Sequence, residues 1–233
     1  MSGTGLGVVG RRVTFGGVAS HAGSAPDKGR NALNGVIRFF VGIDGWRQQL
    51  DGDARVHGVI TDGGKAMNVV PARAEAIFGL RAKTKETLDA MVERFSEIAR
   101  GAALLTGTTV EIAEYLPYYA PVSANARLGD VIAKELGRLG VTPARGVLVT
   151  ASTDLGNVSQ KVPTDWVRFP VTTTPIAGHS DAMREACVTD LAHRNALITA
   201  EALGAAAVRV ATDRALRALL QSGGPRGQSP RDP

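Results

Sequence analysis

The chain has 233 residues, of which 44% are hydrophobic and 21% charged. This composition is typical of a soluble globular protein with one large or two small domains. It contains no apolar run of the ~20 residues needed to cross a bilayer, which argues against a membrane partner. Residues 1–12 lack the basic start and apolar stretch of a signal peptide, so we expect a cytoplasmic protein.

The formal net charge of +5 raises the question of a nucleic-acid partner. The basic residues are scattered, however, and aromatic residues make up 5% of the chain, which leaves little surface for base stacking. We therefore expect no nucleic-acid partner. The single cysteine, Cys187, excludes a disulfide within the chain and a cysteine-based zinc site. We expect its side chain to be a packed small hydrophobe rather than a nucleophile.

The first region, residues 6–121, is predicted to form one domain. Its periodicities indicate a strand at 12–18, a helix at 31–50, strands at 56–61 and 74–82, a helix from a Thr84 cap to Leu105, and a strand at 108–115. The order is typical of the ferredoxin-like βαββαβ arrangement, in which two helices cover one face of an antiparallel sheet.

The second region, residues 122–210, alternates helices with short apolar runs. Ser123 is expected to cap a helix, residues 147–150 and 167–171 to form buried strands, and Thr189 to begin a long helix. This pattern indicates part of an α/β sheet, with too few strands for an independent domain. Residues 211–233 are predicted to finish the helix and to end in a tail, 222–233, that is disordered.

Two of the four histidines stand in loops suited to chemistry. His21 lies in a turn of small residues that can present an imidazole to a ligand, although an exposed loop histidine would give the same pattern. His179 follows the predicted strand 167–171, and ligand sites in open α/β sheets gather at such strand ends. Ser180 and Asp181 are expected to orient its ring. His57, within a strand, is expected to be satisfied by a neighbour, and His193 to lie on the surface.

The residues alone provide parts of a site. A metal site needs three or more protein ligands, and His179 with Asp181 or Asp154 supplies two at most. The sequence has no nucleophile elbow, phosphate loop or dinucleotide glycine motif.

Five segments in order resemble the zinc metallopeptidase and aminoacylase family, which includes carboxypeptidase G and aminobenzoyl-glutamate hydrolases. They are VASHAGSAP at 18–26, GRNAL at 29–33, GGKAMNVVP at 63–71, STDLGN at 152–157 and GHS at 178–180. The wording of 56–60 and 152–159 is most similar to the aminobenzoyl-glutamate hydrolase and dipeptidase-like branch, whose members cleave amide bonds in amino-acid conjugates or dipeptides.

The resemblance implies a lid and dimerisation domain followed by the carboxyl-terminal part of an α/β catalytic domain, in a homodimer. It implies that His21 reaches across the dimer to stabilise a developing oxyanion, and that Asn68 and Arg81 grip the substrate. It makes His179 a zinc ligand and places Thr153 and Asp154 on the adjoining substrate loop.

The family's remaining zinc ligands and its general base lie upstream of the lid, and no such motif precedes Arg12. We therefore expect a fragment of an amidohydrolase that uses metal-activated water, binding zinc weakly and inactive by itself. The alternative is a non-catalytic ferredoxin-like dimerisation or binding module. Such a module would form a stable dimer without zinc and would not depend on His179.

Overall fold

The computed structural model describes residues 3–222, which divide into two compact units. The sheet unit comprises Gly5–Pro121 and Thr150–Gly156, and the helical unit comprises residues 3–4, Val122–Val149 and 157–222. Segment Thr150–Gly156 thus packs with a unit from which almost thirty residues of chain separate it. In the described range, no helix combines the length and the apolar character needed to cross a membrane.

The sheet unit is built on four antiparallel strands in the order β2-β3-β1-β4. The elements along the chain are β1 (Gly7–Gly16), α1 (Ala32–Arg47), β2 (Arg55–Asp62), β3 (Arg73–Ala82), α2 (Lys85–Thr106) and β4 (Thr109–Tyr119). The predicted βαββαβ order is therefore confirmed. Strands β1 and β4 are longer than predicted, since β1 begins five residues before Arg12 and β4 continues to Tyr119.

Alternation along β3 decides which face of the sheet the two helices cover. The face with Ala74, Ala76, Phe78, Leu80 and Ala82 is buried against α1 and α2. The intervening residues point to the opposite face, which we call the open face. Arg81 therefore belongs to the open face, as does His57 on the neighbouring strand.

The core of the sheet unit centres on Phe39, whose side chain is fully buried. Its ring centroid lies 4.9 Å from Phe95 and 5.2 Å from Phe78, both in edge-to-face geometry, and 6.1 Å from Phe15. Helix, strand and second helix thus meet at one aromatic cluster. Edge-to-face pairs of this kind contribute about 0.5–1.5 kcal/mol beyond the burial of their area.

Side-chain caps set the starts of both helices in the sheet unit. Asn31 Oδ1 accepts hydrogen bonds from the backbone N–H groups of Leu33 and Asn34, and Thr84 Oγ1 accepts from Thr87 N. The predicted Thr84 cap is confirmed. Helix α2 ends at Gly107, whose φ of 63° is the left-handed conformation that glycine adopts without strain.

The helical unit contains α3 (Ala126–Arg138), α4 (Leu155–Ser159, shared with the sheet unit), α5 (Asp181–Ala186), α6 (Asp190–Thr212) and α7 (Arg214–Ser222). Helices α3 and α6 pack through Ile132, Leu136, Ala202 and Ala206. Beside this contact Glu135 is buried, and its carboxylate accepts hydrogen bonds from Arg138 at 2.7 Å and Arg209 at 3.3 Å. Thr189 caps α6, as predicted.

Several predictions for this region are wrong in detail. Asn125 rather than Ser123 caps α3, because its Oδ1 accepts from Leu128 N, whereas Ser123 N donates to Ser159 Oγ. Segments 147–150 and 167–171 are not strands, since the described residues offer them no neighbouring ladder and the sheet contains only β1 to β4. Apolar sequence without a hydrogen-bonding partner does not make a strand.

Cys187 is exposed, which contradicts the expectation of a packed side chain. It follows the short helix α5, none of whose residues is buried. Of the tail predicted to be disordered, Ser222 is the last residue of α7, and residues 223–233 lie outside the described residues. The mixed α/β fold class is confirmed by the antiparallel sheet and its covering helices.

Candidate active site

His21 and Asn68 are brought together by backbone pairing between two loops. His21 bridges Val69 in antiparallel fashion, Ala22 N donates to Asn68 O at 2.9 Å, and Val70 N donates to Ser20 O at 2.9 Å. These bonds extend the β1–β3 pairing beyond the ends of both strands. The two residues that the family resemblance assigned to one site are therefore neighbours, and both are exposed.

The ring of His21 is held in one tautomer. Its Nδ1 accepts hydrogen bonds from the backbone N–H groups of Gly23 at 3.2 Å and Ser24 at 3.1 Å. An acceptor nitrogen carries no hydrogen, so the neutral ring must carry its proton on Nε2. The exposed loop thereby presents an N–H donor on a rigid backbone mount, which is the chemistry needed to stabilise an oxyanion.

Arg81 on β3 is held by two side chains from different parts of the sequence. Its Nε donates to His57 Nε2 at 3.2 Å, and its Nη1 donates to Ser152 Oγ at 2.6 Å. The expectation that a neighbour satisfies His57 is confirmed, and the neighbour is a candidate site residue. Burial, followed by the positive charge of Arg81, lowers the pKa of His57 from its ordinary value.

Arg81 and His57 line a shallow cavity of about 330 Å³ on the open face of the sheet. The rest of its lining is largely apolar and includes Val8, Val59, Ile77, Tyr115 and Leu116. A guanidinium beside apolar side chains suits a ligand that carries both a carboxylate and an apolar group.

The loop that carries Ser152 also carries Thr153 and Asp154. Thr153 Oγ1 donates to Asp154 Oδ1 at 3.2 Å and accepts from Leu155 N at 3.3 Å, so the hydroxyl shapes the turn into α4. Gly156 seats this loop on the sheet unit, because a Cβ at that position would lie 1.8 Å from the carbonyl oxygen of Ala120. The predicted substrate residues Thr153 and Asp154 thus stand next to the side chain that holds Arg81.

We expect Gly156→Ala to displace this loop and to weaken the bond between Ser152 and Arg81. A backbone oxygen cannot rotate away from the new methyl group, so the loop must move, at a cost of about 1–3 kcal/mol. Urea unfolding measures the loss. The matched control is Gly101→Ala on α2, where an added Cβ meets nothing within 4 Å and greater helix propensity should stabilise by about 0.5–1 kcal/mol. Equal stability of the two variants would contradict this assignment.

Within one protomer the two clusters lie at opposite ends of a strand pair. Val8 pairs with Arg81, and Gly16 pairs with Arg73, from which the pairing of His21 and Asn68 continues. Arg81 and Arg73 are separated by ~26 Å along β3, at ~3.3 Å per residue. One small amide substrate cannot span that distance.

His179 lies in the helical unit, on the loop before α5. Its φ of 58° makes it the one residue other than glycine with a positive φ between residues 3 and 222. Such a conformation costs about 1–3 kcal/mol and is concentrated at functional sites. The expectation that Ser180 and Asp181 orient its ring is wrong. Ser180 Oγ donates to Ala177 O and accepts from Met183 N, and Asp181 accepts from Arg184 Nε.

The donor atoms of the described residues do not fit a zinc centre by themselves. Across residues 3–222, no group of three histidine, cysteine, aspartate or glutamate side chains converges on a point where an ion could bind. Zinc sites in proteins use at least three protein ligands. His179 therefore remains a predicted single ligand, and a complete centre would need donors from further polypeptide.

Residues 6–105 match the family model described as the peptidase dimerisation domain. They form such a domain. The chain is 32% identical to the Xaa-Arg dipeptidase of Mus musculus, over 85% of this chain and 47% of the relative. It is 28% identical to one of the two kinds of p-aminobenzoyl-glutamate hydrolase chain of Escherichia coli, over 87% of this chain and 54% of the relative. The family resemblance that the motifs indicated is thereby confirmed.

A solved structure shares the fold beyond the dimerisation domain. An amidase of the hydantoinase/carbamoylase family from Burkholderia phymatum superposes with a TM-score of 0.61 and 19% identity, over 92% of this chain and 50% of that chain. The chain spans about half the length of the relatives it matches. The dimerisation domain and the helical unit are thus both part of an architecture found in amidohydrolases.

Sequence reasoning missed His57 and Ser152 as partners of Arg81. The alternation of β2 and β3 places His57 and Arg81 on the same face, so that signal was present once the strands were aligned. Ser152 could not be found in this way, because its loop reaches Arg81 through tertiary packing across 71 residues of chain.

Proposed function

We propose that this chain provides the dimerisation domain and the carboxyl-terminal part of a metal-dependent amidohydrolase acting on amino-acid conjugates or dipeptides. The observation that carries the proposal is the pair of preorganised groups, a fixed N–H donor at His21 and a two-point-held guanidinium at Arg81. Oxyanion stabilisation and carboxylate binding are the two tasks that hydrolysis of such an amide requires of them.

Each candidate residue receives a role in this proposal. Arg81 binds the substrate carboxylate, Thr153 and Asp154 line the substrate on the loop beside Ser152, and the Nε2–H of His21 donates to the amide oxygen as negative charge develops there. His179 is the proposed zinc ligand of the chain. The other ligands and the general base are proposed to come from polypeptide outside these 233 residues, and the chain by itself is proposed to be inactive.

The site is proposed to be completed by a second copy of the chain. The ~26 Å along β3 between the Arg81 end and the Arg73 end rules out simultaneous use of both clusters by one small substrate within a protomer. A homodimer removes this difficulty if His21 and Asn68 of the partner subunit approach Arg81 of the first. The dimerisation domain is the natural contact for such an assembly.

The test compares two forms of the protein supplied with zinc. One is the 233-residue chain, and the other also includes the in-frame coding sequence that precedes Met1 in the source genome. Aminobenzoyl-glutamate and a panel of dipeptides, Xaa-Arg among them, serve as substrates. The proposal expects hydrolysis by the longer form only. Turnover by the short chain would overturn its inactivity, and a longer form that binds zinc and hydrolyses no substrate of the panel would overturn the hydrolase function.

A further inference from the structure

The contacts of Arg81 leave one edge of its guanidinium available. Nε–H is engaged by His57 and Nη1 by Ser152, whereas Nη2 makes no hydrogen bond to any residue in the range 3–222. A guanidinium binds a carboxylate through two parallel N–H groups, from either the Nε/Nη2 edge or the Nη1/Nη2 edge. Because His57 takes the Nε–H, the Nη1/Nη2 edge is the one left for a ligand.

We propose that His57 is a positioning residue that holds Arg81 for carboxylate binding only while its imidazole is neutral, so that its protonation switches binding off. The proposal rests on the proposed carboxylate-binding role of Arg81. To accept the Arg81 Nε–H, His57 Nε2 must carry a lone pair, which leaves its own hydrogen on Nδ1. A protonated ring has no acceptor and carries a charge of the same sign as Arg81.

The charges around His57 favour the neutral ring. Arg81 faces it from β3, and Arg55, two residues earlier on β2, lies on the same face, with its guanidinium bonded to the carbonyl groups of Gly52 and Ala54. Tyr115 contributes a phenol to the same cavity, and the described residues that line it include no carboxylate. On the loop that holds Ser152, the one carboxylate belongs to Asp154, which accepts from Thr153.

The position of the ring depends on Gly79, which pairs with His57 across the two strands. A Cβ at Gly79 would lie 2.7 Å from Cε1 and 3.2 Å from Nε2 of His57. The imidazole therefore lies flat over the glycine, with its Nε2 toward Arg81. A larger residue would lift the ring away from the guanidinium, so Gly79 completes the device.

The sign of the pH dependence follows from these contacts. Burial and Arg81 lower the pKa of His57, so the neutral ring persists as the pH falls through about 6.5, the ordinary histidine value. Below the lowered pKa the ring is charged, and Ser152 alone holds the guanidinium. Carboxylate binding should therefore be strong at neutral pH and weaken on acidification.

The experiment uses the 233-residue chain with benzoate, a carboxylate with an apolar ring, as the probe. Nitrogen NMR follows the Arg81 Nε–H and the His57 ring during one pH titration, with Arg81→Lys identifying the arginine signal. Benzoate affinity is measured at about pH 7.5 and about pH 5.5, and we expect about two- to tenfold weaker binding at the lower pH, the effect of one hydrogen bond.

The variant His57→Gln retains an acceptor that does not titrate, so its affinity for benzoate should be near that of the wild type at about pH 7.5 and constant between the two pH values. His193→Gln, the same change at an exposed histidine on α6, should behave as the wild type. If His57→Gln does not fold, the joint titration of Arg81 Nε and His57 in the wild type decides the proposal.

Three results would overturn the proposal: an Arg81 signal that does not follow His57, a wild-type pH dependence retained by His57→Gln, or no binding of benzoate at either pH. None of these readouts depends on hydrolysis. A longer form of the protein that fails to cleave amides while the coupled titration and benzoate binding persist would overturn the proposed function and leave the His57 switch in place.

Discussion

Replacing Phe39 by alanine should lower the free energy of unfolding of the sheet unit by about 3–5 kcal/mol. The side chain is fully buried, and its ring meets those of Phe15, Phe78 and Phe95, which come from three different elements. Its removal forfeits the transfer free energy of the ring and leaves a cavity that four-way packing prevents from collapsing.

Fluorescence can report on this unit alone. Trp46 packs against the same core, and the other tryptophan, Trp166, lies in the helical unit. Urea unfolding in a Trp166→Phe background therefore follows the sheet unit. The matched control is Ile37→Ala on the same helix, where the side chain is 42% exposed and the change should stay within about 0.5 kcal/mol. A loss below about 1 kcal/mol for Phe39→Ala would show that the core is not organised around this ring.

Replacing His21 by alanine should lower kcat by about 10²–10³-fold in the longer, zinc-supplied form of the protein, with a small change in KM. The reason is that the Nε2–H donor, fixed by the backbone bonds to Nδ1, would act on charge that develops only in the transition state. His193→Ala provides the control. A rise in KM without loss of kcat would assign His21 to ground-state binding instead.

Mixed dimers test whether His21 acts across the subunit contact. His21→Ala and Arg81→Ala chains are each expected to be inactive as homodimers. When they are mixed, a heterodimer joins an intact Arg81 on one chain with an intact His21 on the other, so random pairing should restore about one quarter of wild-type activity. If both residues served the same protomer's site, mixing would restore nothing.

Periodicity predicted the sheet unit well because each of its elements buries one face against the same core. The stripe of β3 and the apolar spacing of α1 and α2 depend on local alternation, which a sequence displays directly. Segments 147–150 and 167–171 show the limit of this reasoning. Their apolar residues resemble a buried strand, but strand formation also needs a hydrogen-bonding neighbour, and the described residues supply none.

The candidate site was predictable to a different depth. Motif order pointed to His21, Asn68, Arg81 and His179, which are short-range features of the sequence. It could not indicate that His21 is fixed in one tautomer, since that depends on the turn geometry of Gly23 and Ser24. Nor could it show that His179 adopts a left-handed backbone, because its neighbour Gly178 was the residue expected to provide such freedom.

The position of segment Thr150–Gly156 has a practical consequence for recombination. Because Ser152 reaches back to Arg81, the functional sheet unit is encoded by two separated stretches of the gene. A domain exchange with a crossover at Pro121 would transplant Arg81 and leave its serine behind, and the hybrid would pair that arginine with a foreign loop. Natural or laboratory chimeras that keep the arginine poised must therefore inherit both stretches from the same parent.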